Sequence, residues 1–301
     1  MSKRRFRWPA QIGATLTVVI LGCAPAPARL DQTIVLDLSG PHPTAQLFIG
    51  SRSPVTVIFD TGAGTNIVGT ALATSLGLPN NGVIAVASPG ATAPLSGFVT
   101  AIPFARLGDA VIDNAQAVAI DLPMLLPGIA GVISPNSFSG RLVQFDFGRA
   151  RAIVMDRTKA RMPAGSGDPY GGEIGHPLPA AQIDVAGTRL IAHLDSGSHF
   201  ALCLPFEISK QVPLRGKLFA IEPIRMTGAT HAAFRATIAG TVRIGPLTLT
   251  DPDVIFEEGI PVANVGIRIL REMTLVLDPE GKRSWMLPAE PISPAPLLRP
   301  Q

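Results

Sequence analysis

Phe59-Asp60-Thr61-Gly62-Ala63-Gly64 and Leu194-Asp195-Ser196-Gly197-Ser198 are two versions of one phrase. Each has an apolar residue, an Asp, a small hydroxyl residue, a Gly and another small residue, and each closes a run that reads as a strand. One copy alone would be a turn, since these residues favour turns. Two copies, one in each half, point to two carboxylates meeting across a pseudo-twofold axis.

The surrounding sequence repeats in step with the phrase. Pro43-Thr44-Ala45-Gln46-Leu47-Phe48-Ile49 precedes Asp60 as Pro179-Ala180-Ala181-Gln182-Ile183-Asp184-Val185 precedes Asp195. Turns follow at Gly50 to Pro54 and at Ala186 to Thr188. Each half therefore reads as a hairpin whose second strand ends in a carboxylate. Downstream, Ile129-Ala130-Gly131-Val132-Ile133 answers Asn264-Val265-Gly266-Ile267-Arg268, and Gly131 and Gly266 each stand 71 residues after their Asp. Val143 to Asp146 then answers Leu275 to Asp278. Both are followed by basic turns and closing apolar strands, and the recurring Asp146 and Asp278 read as structural turn residues.

This repeat divides the chain into homologous lobes at 30–156 and 176–288. A linker rich in Gly, Pro and charge occupies 157–175, and a Pro-rich extended tail occupies 289–301. With 29 Pro, 30 Gly and frequent Val/Ile/Leu/Thr runs among 301 residues, the expected fold is mostly β, with two β-rich lobes and a central cleft. Short helices are expected over Ile67 to Leu76 and Ile267 to Met273.

The net charge of +3 comes from the N-terminus. Lys3, Arg4, Arg5 and Arg7 lie in a first segment, 1–22, without acids; the rest has 21 basic and 22 acidic residues. No basic stripe with aromatics remains, so nucleic acid is not expected as a partner. Residues 1–22 have the charged and apolar parts of an export signal, and the apolar run from Ile12 to Leu21 is short for a membrane span. Ile20-Leu21-Gly22-Cys23 resembles a bacterial lipobox. One reading makes Cys23 a lipid attachment site on a membrane-anchored protein facing the periplasm or cell exterior. The other is a signal cleaved after Ala28, giving a soluble exported protein. Cys203 is the only other Cys; it sits in an apolar run and reads as a buried structural thiol.

Two carboxylates sharing a proton suit hydrolysis. Like charges in close proximity cannot both ionise easily, so one group holds a proton while the other acts as a base. The base activates a water and the acid polarises a carbonyl. Gly62 and Gly197 permit the tight turn, and their N–H groups can donate to the carboxylates. Thr61 and Ser196 offer hydroxyls to cross-bond beneath the pair. Ser198 could bond Asp195, whereas Ala63 cannot do so for Asp60.

On these motifs the chain resembles the pepsin/retropepsin superfamily of aspartic proteases, and most of all the bacterial retropepsin-like proteases with two lobes in one chain. The resemblance spans roughly 30–288. It implies that Asp60 and Asp195 are the catalytic dyad, that Thr61 and Ser196 form the grip beneath it, and that Gly131 and Gly266 brace the active loops in a ψ-shaped motif. It implies an endopeptidase of peptide or protein substrates, with no cofactor or metal, for which a monomer suffices. Flaps are expected near Ser88 to Gly97 and Thr227 to His231. Neither holds the Tyr of the pepsin branch, because the single Tyr, Tyr170, lies in the linker. Gly-containing flaps suit the retropepsin branch better.

Other chemistries fit less well. A serine nucleophile at Ser196 lacks the second Gly of its turn. A metal set of His193, Asp195 and His199 needs His199 to join the other two from beyond the Gly turn. The glycines at 165–172 follow no strand-to-helix pattern for a nucleotide loop. The alternative to a protease is a peptide-binding protein of the same fold with little turnover.

Overall fold

The computed structural model describes residues 31–87, 93–113, 116–121, 127–171, 177–226 and 228–289. Residues 1–22, expected to be an export signal, Cys23 and all of the tail beyond Ala289 lie outside them. Among the described residues no helix is long and apolar enough to cross a membrane.

The first half contains β1 (Gln32–Val35), β2 (Thr44–Ile49), β3 (Val55–Phe59), β4 (Asn66–Val68), β5 (Val83–Val86), β6 (Leu95–Ala101), β7 (Ala105–Leu107), β8 (Ala110–Val111), β9 (Gln116–Ala119), β10 (Ile129–Ile133), β11 (Arg141–Asp146) and β12 (Arg151–Asp156). The second contains β13 (Asp168–Pro169), β14 (Ala180–Val185), β15 (Thr188–Asp195), β16 (Leu202–Pro205), β17 (Leu214–Met226), β18 (Ala229–Ile238), β19 (Thr241–Ile244), β20 (Leu247–Thr250), β21 (Asp253–Glu257), β22 (Ala263–Gly266), β23 (Met273–Asp278) and β24 (Arg283–Pro288).

The repeat becomes two sheets of identical topology. One runs β5-β6-β9-β4-β10-β3-β2-β7-β8, the other β17-β18-β21-β16-β22-β15-β14-β19-β20. In each, the strand that ends in Asp pairs parallel with the strand carrying the later Gly, which pairs antiparallel with the strand just after the Asp loop. This is the ψ arrangement. The glycines allow it, because a Cβ on Gly131 would overlap the Ile67 carbonyl and one on Gly266 the Phe200 carbonyl. Both obstacles are backbone and cannot rotate away. Gly131→Ala and Gly266→Ala should therefore each lower unfolding free energy by about 1–3 kcal/mol, the usual cost of overpacking; urea titration measures it.

A third sheet, β1-β12-β11-β23-β24-β13, joins the halves. Its centre pairs β11 with β23, Val143 opposite Leu277 and Phe145 opposite Leu275. All six residues of β23 are buried, hence its almost unbroken apolar sequence. Phe145 continues the packing into the first lobe: its ring lies 4.7 Å from Phe59, which itself meets Phe138 at 5.9 Å. The residue immediately before Asp60 is thus fixed in the aromatic core between the lobe and the shared sheet. Asp146 and Asp278 terminate their strands in ion pairs with Arg149 and Arg151, and with Arg157, respectively.

Several expectations are corrected. Within the expected linker 157–175 the described residues are tied to the fold: Asp168–Pro169 pairs with β24, Gly171 bridges to Leu178, and Tyr170 is buried. Ile67 and Val68 are strand, not helix, because both are β-branched and pair with β9 and β10. Helix α1 spans only Thr70–Leu76 and ends at Gly77 in the left-handed region, φ 63°. Helix α2 is likewise cut to Ile267–Leu270, since Met273 enters the shared sheet opposite Pro288.

The flap segments are two hairpins, β5–β6 and β17–β18, at matching sheet edges. Residues 88–92 and Thr227 at their tips lie outside the described residues. Gly97 is not a tip residue; it lies in β6, where a Cβ would overlap the Ala119 carbonyl. His231 is not a tip residue either. It is buried in β18 with its Nδ1 2.8 Å from Glu257 Oε1.

Candidate active site

β3 and β15 deliver Asp60 and Asp195 to the junction of the lobes, and the residues after them interlock. Thr61 Oγ1 donates to the Leu194 carbonyl at 2.6 Å and accepts from Ser196 N–H at 2.9 Å. Reciprocally, Thr61 N–H donates to Ser196 Oγ at 3.0 Å, and that hydroxyl donates to the Phe59 carbonyl at 3.1 Å. Thr61 and Ser196 are fully buried. Four bonds in a dry site tie together segments more than 130 residues apart, so each carboxyl group is positioned relative to the other.

The glycines also act across the interface. Gly62 lies against the Asp195 carboxyl and Gly197 against that of Asp60; a methyl group on either would overlap the opposing carboxyl. Gly62 N–H donates to Asp60 Oδ1 at 2.8 Å, and Gly197 N–H donates to the same Asp60 oxygen at 2.8 Å. Gly197 therefore serves the other lobe's carboxylate, not its own. Asp195 Oδ1 accepts from Ser198 N–H at 3.1 Å, so Ser198 meets it through its backbone rather than its hydroxyl. Asp195 Oδ2 accepts from Asn264 Nδ2–H at 2.6 Å.

Burial, then the Asp195 charge, push the Asp60 carboxyl well above the usual carboxylate range, against the two Gly N–H bonds that favour its anion. The pair is thus arranged to keep one proton, the state that provides an acid and a base together.

The loops are supported differently in the two lobes. In the first, Ser134 Oγ donates to the Ala63 carbonyl at 2.6 Å and Asn136 Nδ2 to the Gly64 carbonyl at 3.1 Å. Asn66 links these to β9, accepting from Ser134 N–H and Ser137 Oγ and donating to the Gln116 carbonyl. In the second, backbone suffices: Ile267 N–H donates to the Ser198 carbonyl and Gly266 N–H to that of Ala201, each at 2.9 Å.

Reading the sequence missed Asn264, Ser134, Asn136 and His42. Asn264 had a signal, because it is the polar counterpart of Ile129 in the repeat. His42 had none; it comes from the turn before β2 and faces Gly197 and Asp195 across the interface. Burial lowers its pKa, and burial likewise lowers that of His193 beside Asp195.

The metal set is not assembled. His199 is exposed, its ring centroid 4.0 Å from that of Phe200, and among the described residues no group of three His, Cys, Asp or Glu could hold a metal ion. Cys203 is buried and its thiol is pushed upward by that burial, which leaves it in the unreactive form.

No curated protein matches the chain. Residues 45–134, from β2 through the Asp60 loop to the end of the first ψ motif, match the family model of the aspartyl proteases. That match lies on a lobe whose topology the second half duplicates strand for strand, and it supports the likeness of the chain to the aspartic protease superfamily.

Proposed function

We propose that the protein is an aspartic endopeptidase that hydrolyses peptide bonds with Asp60 and Asp195. The observation that carries this reading is the pair of carboxyl groups held across the lobe interface by the Thr61–Ser196 bonds, with Asp60 disposed to keep its proton. A water between the carboxyls loses a proton to the ionised Asp as its oxygen attacks the peptide carbonyl. The protonated Asp hydrogen-bonds the carbonyl oxygen as it becomes an oxyanion, and proton transfer to the nitrogen releases the amine. An extended substrate would lie beneath the two hairpins, whose edge backbone can pair with it.

The test is incubation with a diverse peptide mixture, with and without a hydroxyl-bearing transition-state mimic. Cleavage that the mimic suppresses supports the reading. Binding without cleavage at any pH favours the second one, a peptide-binding protein. That alternative is motivated by the position of Tyr170, the only Tyr, away from both hairpins and buried beside β24.

The proposed location is outside the cytoplasm, anchored through a lipid on Cys23. Metabolic labelling with a fatty acid should mark the wild type and not Cys23→Ala; equal labelling rejects the anchor, and a shortened, unlabelled wild type supports the soluble exported form.

A further inference from the structure

The two carboxyl groups of the dyad differ in their neighbours. Asp60 accepts two backbone N–H bonds, from Gly62 and Gly197 of opposite lobes, both on Oδ1, besides its hydrogen bond with Asp195. Asp195 accepts one backbone bond, from Ser198 N–H to Oδ1, and one from a side chain, Asn264 Nδ2, 2.6 Å from its Oδ2. The repeat offers nothing comparable to Asp60, since Ile129 stands where Asn264 does.

Asn264 is locked in place by its strand. In β22 it lies in register with His193 on one side and Cys203 on the other, and the next residue but one, Gly266, is level with Asp195. His193, Asp195, Asn264 and Cys203 consequently share one face of the sheet. The far atom of the amide, Asn264 Oδ1, is buried with no hydrogen-bond partner. The hydrogen bonding of this amide is thus directed to Asp195.

The orientation has a chemical consequence. A primary amide N–H stabilises an anionic acceptor more than a protonated one. The Gly62 and Gly197 N–H bonds favour an anion on Asp60, but burial, the larger influence, opposes it, and the titratable groups facing Asp195 bring it no full charge. His42 and His193 are held toward their neutral forms by burial, Cys203 toward its thiol, and Asp60 is the partner carboxyl.

Building on the hydrolase reading, we propose that Asn264 is a positioning residue that holds Asp195 as the anion of the dyad, so that the shared proton resides on Asp60. Asp195 then accepts the proton of the attacking water, and Asp60 donates to the substrate carbonyl.

Asn264→Leu keeps the size of the side chain and removes the donor; Asn264→Ile installs the residue of the symmetry mate and guards against misfolding of the first. Without the donor the doubly protonated dyad gives up its first proton less readily. The acidic limb of the kcat/KM profile should move to higher pH by about one unit, and kcat at the optimum should fall about tenfold with KM little changed, the scale of a charge-assisted hydrogen bond. An unchanged limb, a limb moved to lower pH, or a uniform loss that follows reduced stability overturns the proposal.

NMR of carboxyl-13C aspartate provides a reading that needs no turnover, with Asp195→Asn and Asp60→Asn assigning the resonances. In wild type at one proton per pair, the Asp195 carbon should carry the ionised shift and the Asp60 carbon the protonated one. In the Asn264 variants the two should converge. Equal shifts in wild type, or shifts that the variants leave unmoved, overturn the proposal. A wild type that cleaves nothing rejects the hydrolase reading alone, because the NMR comparison still decides the role of Asn264.

Discussion

Asp60→Asn and Asp195→Asn should each lower kcat by about three orders of magnitude, within the range that general acid–base catalysis supplies, while leaving the fold intact. Asn has the shape of Asp, so Asp60→Asn still offers an oxygen to the N–H groups of Gly62 and Gly197. What is lost is the ability to exchange a proton. The stability change has a defined sign. The folded-state pKa of Asp60 is raised, by burial and by Asp195, above an unfolded value of about 3.9. The native state therefore binds the extra proton, and the stability Asp60 contributes is complete below that unfolded value and is lost as pH rises through the folded one. Asn does not titrate. Relative to wild type, Asp60→Asn should thus gain stability between pH 4 and pH 8, as read from urea midpoints. Full activity in either variant, or a loss of relative stability toward pH 8 in Asp60→Asn, contradicts this account of the pair.

The parts of this arrangement that could be read from the sequence are those written in the order of residues. The twin Asp phrases, the hairpins before them and the equal steps to Gly131 and Gly266 are periodicities, and covalent order preserves them. Local chemistry also transfers: a Gly at the crossing of the ψ motif is needed wherever backbone passes within a Cβ of backbone. Pairing between distant strands does not transfer. Val143 to Asp146 and Leu275 to Asp278 each read as a strand of its own lobe, leading through a basic turn to that lobe's closing strand, yet their main partners include each other. Nothing in their spacing distinguishes the two outcomes, because register between strands 130 residues apart depends on which apolar faces remain uncovered once both lobes have formed. The same holds for Asp168–Pro169, whose Pro and charge suggest a linker but which occupies a sheet edge, where Pro is tolerated. His42 is hidden for a related reason. Its importance lies wholly in what the other lobe puts against it.

Thr61→Val and Ser196→Ala should be the most damaging single changes to stability outside the core. Val matches Thr in shape, so the loss isolates the hydroxyl, leaving the Leu194 carbonyl and the Ser196 N–H without partners in a site with no access to water. Each stranded buried group costs about 1–3 kcal/mol, so Thr61→Val should cost roughly 2–4 kcal/mol, a large share of the total stability of a typical domain. Ser196→Ala strands the Thr61 N–H and the Phe59 carbonyl in the same way. The two changes strand different groups, which favours addition, but once one loop is released the other has nothing left to hold. The double variant should therefore be more stable than the sum of the singles predicts, by about 1 kcal/mol in an equilibrium cycle. Activity should fall further than stability implies, because displacing a reacting group by about 1 Å can cost roughly 100-fold, and the lobes remain joined through β11 and β23 even when the grip is cut. Thr61→Ser provides the control: it puts the second lobe's own residue into the first, keeps both hydroxyl bonds, and should retain most of the activity. If Thr61→Val is as stable and active as Thr61→Ser, the shared sheet alone aligns the carboxyls and the hydroxyls beneath them are incidental.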